Sequence, residues 1–186
     1  MLGYCFVGVL PMKKEPNSAC EQISQMLFGD VAQIIEEDKD SWVKVKNLYD
    51  DYLGYVDKRN LIYLSEKEYD KLLEKNKEFF CLDNLAYISI KKNNSVFSCP
   101  VPKCSHFIDM DYSIKDYTFT IQKMNYTHIL PINKESMDSI IYSYINCPYM
   151  WGGRSPFGLD CSGFTQNIFM LFGEKLSRDA CDQEKQ

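Results

Sequence analysis

Short alternations of apolar and polar residues dominate the first third of the chain. In Trp42-Val-Lys-Val-Lys46, Val43 and Val45 fall on one face and Lys44 and Lys46 on the other, the period-2 signature of a half-buried strand. Tyr4 to Leu10, Val31-Ala-Gln-Ile-Ile-Glu36 and Leu53-Gly-Tyr-Val56 predict further strands. Pro11 to Glu21 reads as a polar loop, Glu37-Asp-Lys-Asp-Ser41 as a hairpin connection, and Asp50-Asp51 as a turn. With Asp57-Lys-Arg-Asn-Leu61 closing the unit, residues 1–62 read as a small β-barrel.

The period then changes. Ser65-Glu-Lys-Glu68 is a capping box, and Tyr69, Leu72, Leu73, Phe79 and Phe80 share one face of a helix running to about Phe80. Ala86, Ile88 and Ile90 alternate within a strand from Leu85 to Ile90, and Tyr117-Thr-Phe-Thr-Ile-Gln122 adds another. A second β unit of comparable size but weak sequence repeat therefore ends near Pro131. Met137, Ile140, Ile141 and Tyr144 form the stripe of a helix that starts at Asn133 and is stopped by Pro148. Phe164, Ile168 and Phe172, with Leu171 beside them, form the stripe of another, which Gly173 ends. The pattern as a whole is α+β.

At 186 residues the chain is long enough for one large or two to three small domains, and 45% hydrophobic content supports real cores. A net charge of −5 with scattered Lys and Arg leaves no basic stripe to follow phosphates, so nucleic acid is not an expected partner. No apolar run approaches the about 18–20 residues of a membrane span. The first ten residues lack the basic segment and cleavage pattern of a secretion signal. The eight cysteines are irregularly spaced, and most read as reduced packing residues. The cytoplasm is the expected location for the chain as given, and the periplasm or cell envelope if an N-terminal signal is missing.

Candidate chemistry concentrates in Tyr149-Met-Trp-Gly-Gly-Arg-Ser-Pro-Phe-Gly-Leu-Asp-Cys-Ser-Gly-Phe164. Cys161 falls in the first turn of the last predicted helix, where unpaired N–H groups and the positive end of the macrodipole stabilise a thiolate nucleophile. On residue type alone, a buried structural cysteine is the commoner role. Asp160 equally suits an N-cap, and Tyr149 and Trp151 a core.

Motifs shift that balance. Tyr149-x-Trp151-Gly152-Gly153-Arg154, Asp160-Cys161-Ser162-Gly163-Phe164 and Arg178-Asp179-Ala180 together resemble the first half of an NlpC/P60 cysteine peptidase domain, a papain-like α+β fold. Gly54-Tyr55-Val56-Asp57 is similar to the last-strand hallmark of bacterial SH3-like (SH3b) modules. The Trp-Gly-Gly-Arg-Ser-Pro-Phe-Gly variant most resembles γ-D-glutamyl-L-diamino acid endopeptidases, in which SH3b modules precede the catalytic domain. The resemblance implies an SH3b domain over 1–62, a connecting helix over 63–81, a second, degenerate SH3b-like domain over 82–131, and the N-terminal portion of the catalytic domain over 132–186.

It also implies roles. Cys161 would attack the amide, Tyr149 would help hold the oxyanion, and Trp151 would wall the groove. Asp160 and Ser162 would contact the substrate backbone. Asp179 would grip the substrate's free N-terminal amine, since a buried ammonium must be paired. Ala180 stands where such enzymes often have serine, which removes one hydroxyl contact and loosens specificity. Tyr52 and Glu21 of the first module are the candidates to cap the substrate. The implied substrates are murein-derived peptides such as L-Ala-γ-D-Glu-diamino acid.

No cofactor is implied. Cys99, Cys104 and His106 are zinc-compatible, but a closed site needs four ligands, and His128 and Cys81 would have to be recruited from afar, so no metal is expected. Both histidines precede Cys161, whereas the family's general base follows its nucleophile, and losing such a base costs about 10²- to 10⁴-fold. The chain is thus expected to be C-terminally incomplete, with a continuation or complementing fragment needed to cover Phe164, Ile168 and Phe172. The alternative is a catalytically inactive SH3b binding protein with a truncated peptidase remnant.

Overall fold

Among the described residues of the first 64 there are seven strands: β1 (Leu2–Cys5), β2 (Val9–Lys13), β3 (Gln22–Leu27), β4 (Val31–Glu37), β5 (Trp42–Asn47), β6 (Leu53–Asp57) and β7 (Leu61–Leu64). They come from a computed structural model that describes residues 1–37, 40–74 and 78–186. One sheet contains them all, in the order β3-β2-β6-β5-β4-β1-β7. Val43 of β5 pairs with Val56 of β6, and these valines close a core with Leu10, Met12, Met26 and Val45. The strands flanking the expected hairpin pair as anticipated, while Asp38 and Lys39 at its tip lie outside the described residues.

Two strands differ from expectation for identifiable reasons. The single strand expected from Tyr4 to Leu10 is split, because the chain must leave the β4–β1–β7 side and join β3. At the break, a Cβ on Gly8 would lie 2.1 Å from the Pro100 carbonyl oxygen, so another backbone passes where a side chain would stand. β3 shows no alternation because both its faces are covered: Met26 enters the first core, whereas Leu27 enters a third one around the cysteine helix.

α1 (Glu66–Leu73) begins with the expected capping box, in which the Glu68 carboxylate accepts from the Ser65 N–H at 2.7 Å. It does not run to Phe80. Residues 75–77 of the expected helix lie outside the described residues, and Phe79 already belongs to β8 (Phe79–Cys81), which pairs with β11 (His106–Phe107) and β14 (Tyr126–Thr127). A four-stranded sheet, β10-β9-β13-β12, comprises β9 (Leu85–Lys92), β10 (Ser95–Pro102), β12 (Asp111–Ile114) and β13 (Tyr117–Ile121). The prolines of β10 are tolerated because it is an edge strand.

The two β units share their interior. Alternate residues of β1 and β7 serve different cores: Cys5 and Leu61 face the first, while Leu2, Tyr4, Ile62 and Leu64 pack with Phe79, Ile88, Ile90, Phe107 and Phe119 of the second unit. Among these the Tyr4 and Tyr112 hydroxyls meet at 2.6 Å, which satisfies both buried groups.

The last segment holds α2 (Lys134–Tyr142), a hairpin of β15 (Arg154–Ser155) and β16 (Gly158–Leu159), α3 (Cys161–Leu171) and the short α4 (Ala180–Gln183). Asn133 caps α2 by accepting from the Ser136 N–H at 2.9 Å. The helix ends at Tyr142, before the expected stop at Pro148, and Asn146 turns the chain with φ +68°. Ile141 lies off the buried stripe, at 38% exposed.

The expectation that the apolar stripe of α3 needs residues from elsewhere is corrected by its packing. Ile168 and Phe172 are each only 4% exposed, in a core with Leu27, Cys104, Ile140 and Tyr144, so β3, α2 and the second unit supply the cover. Phe164 is half-buried, edge-on to Tyr144 at 5.6 Å. No helix among the described residues is long and apolar enough to cross a membrane.

Candidate active site

Asp160 builds the start of α3. Its carboxylate accepts from the Gly163 N–H at 2.7 Å, closing the helix N-terminus, and from the Gly152 N–H at 2.9 Å, tying down the glycine-rich loop. Arg178 grips the same carboxylate with both terminal nitrogens, Nη2 to Oδ2 at 2.7 Å and Nη1 to Oδ1 at 3.1 Å, and reaches Ser162 Oγ and Ser24 Oγ as well. Burial works to raise the Asp160 pKa, but the Arg178 guanidinium and the backbone donors outweigh it and hold the carboxyl below its usual range. Because Arg178 offsets the capping charge, the first-turn N–H groups beside Cys161 keep their positive field.

A second buried arginine seats this framework on the first unit. Arg154 Nη1 donates to Asp30 Oδ2 at 2.8 Å and to the Gln25 carbonyl at 3.0 Å. Its own N–H donates to Gln25 Oε1 and its carbonyl accepts from Asn167 of α3. Gly152, with φ +71°, passes so close to β3 that a Cβ there would lie 2.7 Å from the Gln22 carbonyl oxygen. A glycine is required at this crossing.

The result is a cleft of about 500 Å³ between the first β unit and the cysteine helix. Glu21, Tyr52, Tyr149, Trp151, Asp160, Cys161, Ser162 and Asp179 all line it, as do Lys14, Ile23, Arg178, Ala180 and Cys181. Among the cysteines only Cys161 and Cys181 are exposed; Cys5, Cys81, Cys99 and Cys104 are buried, and burial pushes the Cys104 thiol up to about 11. Tyr149 and Trp151 are 69% and 62% exposed, so both rings stand in the cleft mouth instead of a core. The Trp151 indole N–H donates to Glu21 at 2.9 Å, and the Tyr52 hydroxyl donates to Asp179 at 3.0 Å. Both contacts cross from the first unit to the last segment. Burial, followed by the neighbouring Asp179 charge, pushes the Tyr52 phenol well above its ordinary value, so it remains a donor.

Asp160 and Ser162 are nearly buried, and their polar side-chain atoms are engaged with Arg178 in the floor of the cleft. Arg178 and Lys14 carry no role that the sequence motifs by themselves imply. Arg178 stood in the motif beside Asp179, but its partners Ser24 and Asp160 lie far away in sequence.

Neither histidine lines this cleft. His106 pairs with Glu78 at 2.8 Å, and His128 Nδ1 donates to the Glu78 carbonyl at 2.8 Å, each lining another cavity beside Glu78. Cys104 instead meets the Tyr144 hydroxyl at 3.3 Å, and no group of three or more His, Cys, Asp or Glu among the described residues is placed to hold a metal.

Residues 12–61 match the bacterial dipeptidyl-peptidase Sh3 domain family, and residues 146–186 match the NlpC/P60 family. The chain is similar to dipeptidyl-peptidase 6 of Lysinibacillus sphaericus, 23% identical over 89% of this chain and 68% of the relative. It is also similar to the γ-D-glutamyl-L-lysine dipeptidyl-peptidase of Bacillus subtilis, 52% identical over 23% of this chain and 14% of the relative. In fold it is similar to an NlpC/P60 family protein from Bacillus cereus, with a TM-score of 0.81 at 17% identity, over 100% of this chain and 77% of that one. The chain therefore spans only part of each of these proteins.

Proposed function

We propose that this protein, whose residues 12–61 and 146–186 match the bacterial dipeptidyl-peptidase Sh3 domain and the NlpC/P60 family, is a cysteine peptidase acting on the γ-D-glutamyl–diamino acid bond of murein-derived stem peptides, in cell-wall turnover or recycling. One observation carries the reading: Cys161, at the start of α3, shares a cleft with the carboxylates Asp179 and Glu21. A peptide with a free N-terminal amine lies with its ammonium between these carboxylates and the Tyr52 hydroxyl, and its amide at Cys161. Trp151 walls one side, and Asp160 and Ser162 hold the floor through Arg178.

The Cys161 thiolate attacks the amide carbon and a C–S bond forms. The negative charge moving onto the carbonyl oxygen is met by first-turn N–H groups of α3 and the Tyr149 phenol. Collapse breaks the C–N bond, the diamino acid leaves with a proton on its nitrogen, and water hydrolyses the thioester. A base must take the thiol proton, and a continuation or complementing fragment that brings one to Cys161 is part of this reading.

The position of both histidines outside the cleft favours a second reading, in which the protein binds stem peptides without turning them over. Incubating L-Ala-γ-D-Glu-diamino acid with the intact protein and with Cys161→Ala tests both. Hydrolysis lost with the thiol supports the peptidase. Equal hydrolysis by both proteins removes Cys161 from the mechanism, and binding without turnover, unchanged by alkylating Cys161, supports the second reading.

A further inference from the structure

Lys14 lines the Cys161 cleft from the first unit. Its backbone N–H donates to the Glu21 carbonyl at 3.1 Å, and its Nζ lies 3.7 Å from Glu21 Oε2, with the two side chains 64% and 45% exposed. The second cation lining the cleft, Arg178, is buried and committed to Asp160, Ser162 and Ser24. Lys14 is thus the one positive charge among the described cleft residues that is available to a ligand. Its exposed pair with Glu21 is of the weak kind that a ligand carboxylate exchanges at small cost. A lysine suits this exchange, as a mobile point charge on a flexible stem.

Chemistry supplies the carboxylate. A glutamyl residue linked through its γ-carbon keeps its α-carboxyl group outside the peptide bond, either as a free anion or capped as an amide. In the reading proposed above, on which this inference rests, the substrate amine sits by Glu21, Tyr52 and Asp179, and the scissile bond at Cys161. The γ-glutamyl residue spans the gap between them, and Lys14 flanks Glu21 at the amine end of that gap. We propose that Lys14 is a specificity-determining residue that selects peptides whose γ-glutamyl α-carboxylate is free over those in which it is amidated.

Calorimetry separates the possibilities, using Cys161→Ala protein so that no bond is broken. The ligands are L-Ala-γ-D-Glu-L-Lys and the same peptide with the glutamyl α-carboxyl amidated. The free acid is expected to bind about fivefold tighter than the amide, the size of a favourable exposed ion pair. Adding Lys14→Met brings the ratio to about one, Lys14→Arg restores it, and salt diminishes it in the parent. A ratio near one in the parent, or one that Lys14→Met leaves intact, overturns the proposal. So does an equal loss of affinity for both peptides in Lys14→Met, which is the signature of a lysine that only holds Glu21 in place. If neither peptide binds any of these proteins, the underlying functional reading is overturned instead, and this inference with it.

Discussion

The Tyr52 hydroxyl donates to the Asp179 carboxylate at 3.0 Å, joining the first β unit to the segment after the cysteine helix across 127 positions of the chain. With the Trp151–Glu21 bond, it makes the cleft a joint product of two units. A ligand ammonium set against Asp179 would compete for the oxygens that Tyr52 now holds, and the phenol would follow as a second donor or acceptor. Charge-assisted hydrogen bonds contribute about 1.5–3 kcal/mol, so Asp179→Asn is expected to weaken binding of a free-amine peptide by about 10- to 100-fold. N-acetylation of the peptide should cause a comparable loss in the parent and little further loss in the variant. Titration calorimetry with both peptides checks this.

The Arg178–Asp160 pair is buried, and each partner is satisfied only by the other and by fixed hydrogen-bond partners. Removing one side strands the other charge, which costs about 3–5 kcal/mol in such pairs. Arg178→Met is therefore expected to lower unfolding free energy by about that amount, and Asp160→Asn to lose the anion but retain part of the cap. Chemical denaturation measures both. An exposed control, Lys67→Ala on α1, should shift stability by less than about 0.5 kcal/mol.

His106 and Glu78 form a pair whose worth depends on pH. Burial disfavours the His106 charge, but the hydrogen bond and charge of Glu78, helped by Asp30, prevail and raise it above its ordinary value of 6.5. For Glu78, burial raises and His106 lowers, with a net lowering. His106 therefore contributes fully below about pH 6.5, and that contribution is lost as pH rises through its raised folded value. Glu78 contributes fully above about pH 4.3, and that is lost as pH falls through its lowered folded value. The pair stabilises most between about pH 4.5 and 6.5. His106→Gln should flatten the stability profile on the alkaline side of this window, as followed by thermal unfolding at a series of pH values.

Gly152 has φ +71°, and a Cβ would meet the Gln22 carbonyl oxygen at 2.7 Å and the Ile23 carbonyl carbon at 2.9 Å. Both neighbours are backbone, so neither gives way without moving β3. Gly152→Ala is expected to cost about 1–3 kcal/mol and to displace Trp151 from Glu21. Loss of stability together with altered Trp fluorescence would be the observable.

Much of this architecture is legible locally. Lys44 and Lys46 flank Val43 and Val45 in plain alternation, and Asp160 and Gly173 bracket α3 with ordinary cap chemistry. Among the residues lining the cleft, Tyr149, Trp151, Asp160 and Cys161 are legible because they stand in one continuous run. What was not legible depends on partners distant in sequence. β3 has no alternation because two cores claim its two faces, and β10 is disguised by prolines that an edge position tolerates. Arg154 is seated by Gln25 and Asp30, and Arg178 reaches from Asp160 across to Ser24, partners of the first unit that no spacing rule connects to either arginine. The cover of the α3 stripe is hidden from the sequence for the same reason, since Leu27 and Cys104 are remote in sequence and adjacent in space.

The central claim is that the Cys161 cleft receives peptides by their free amine, and alkylation of Cys161 tests it most directly, without requiring turnover. The protein is treated with iodoacetamide, alone, with L-Ala-γ-D-Glu-L-Lys, or with its N-acetylated form, and modification of Cys161 is followed by peptide-resolved mass spectrometry. The free-amine peptide is predicted to slow labelling of Cys161 in a saturable manner, while the acetylated peptide has little effect. Equal labelling rates under all three conditions would contradict the account.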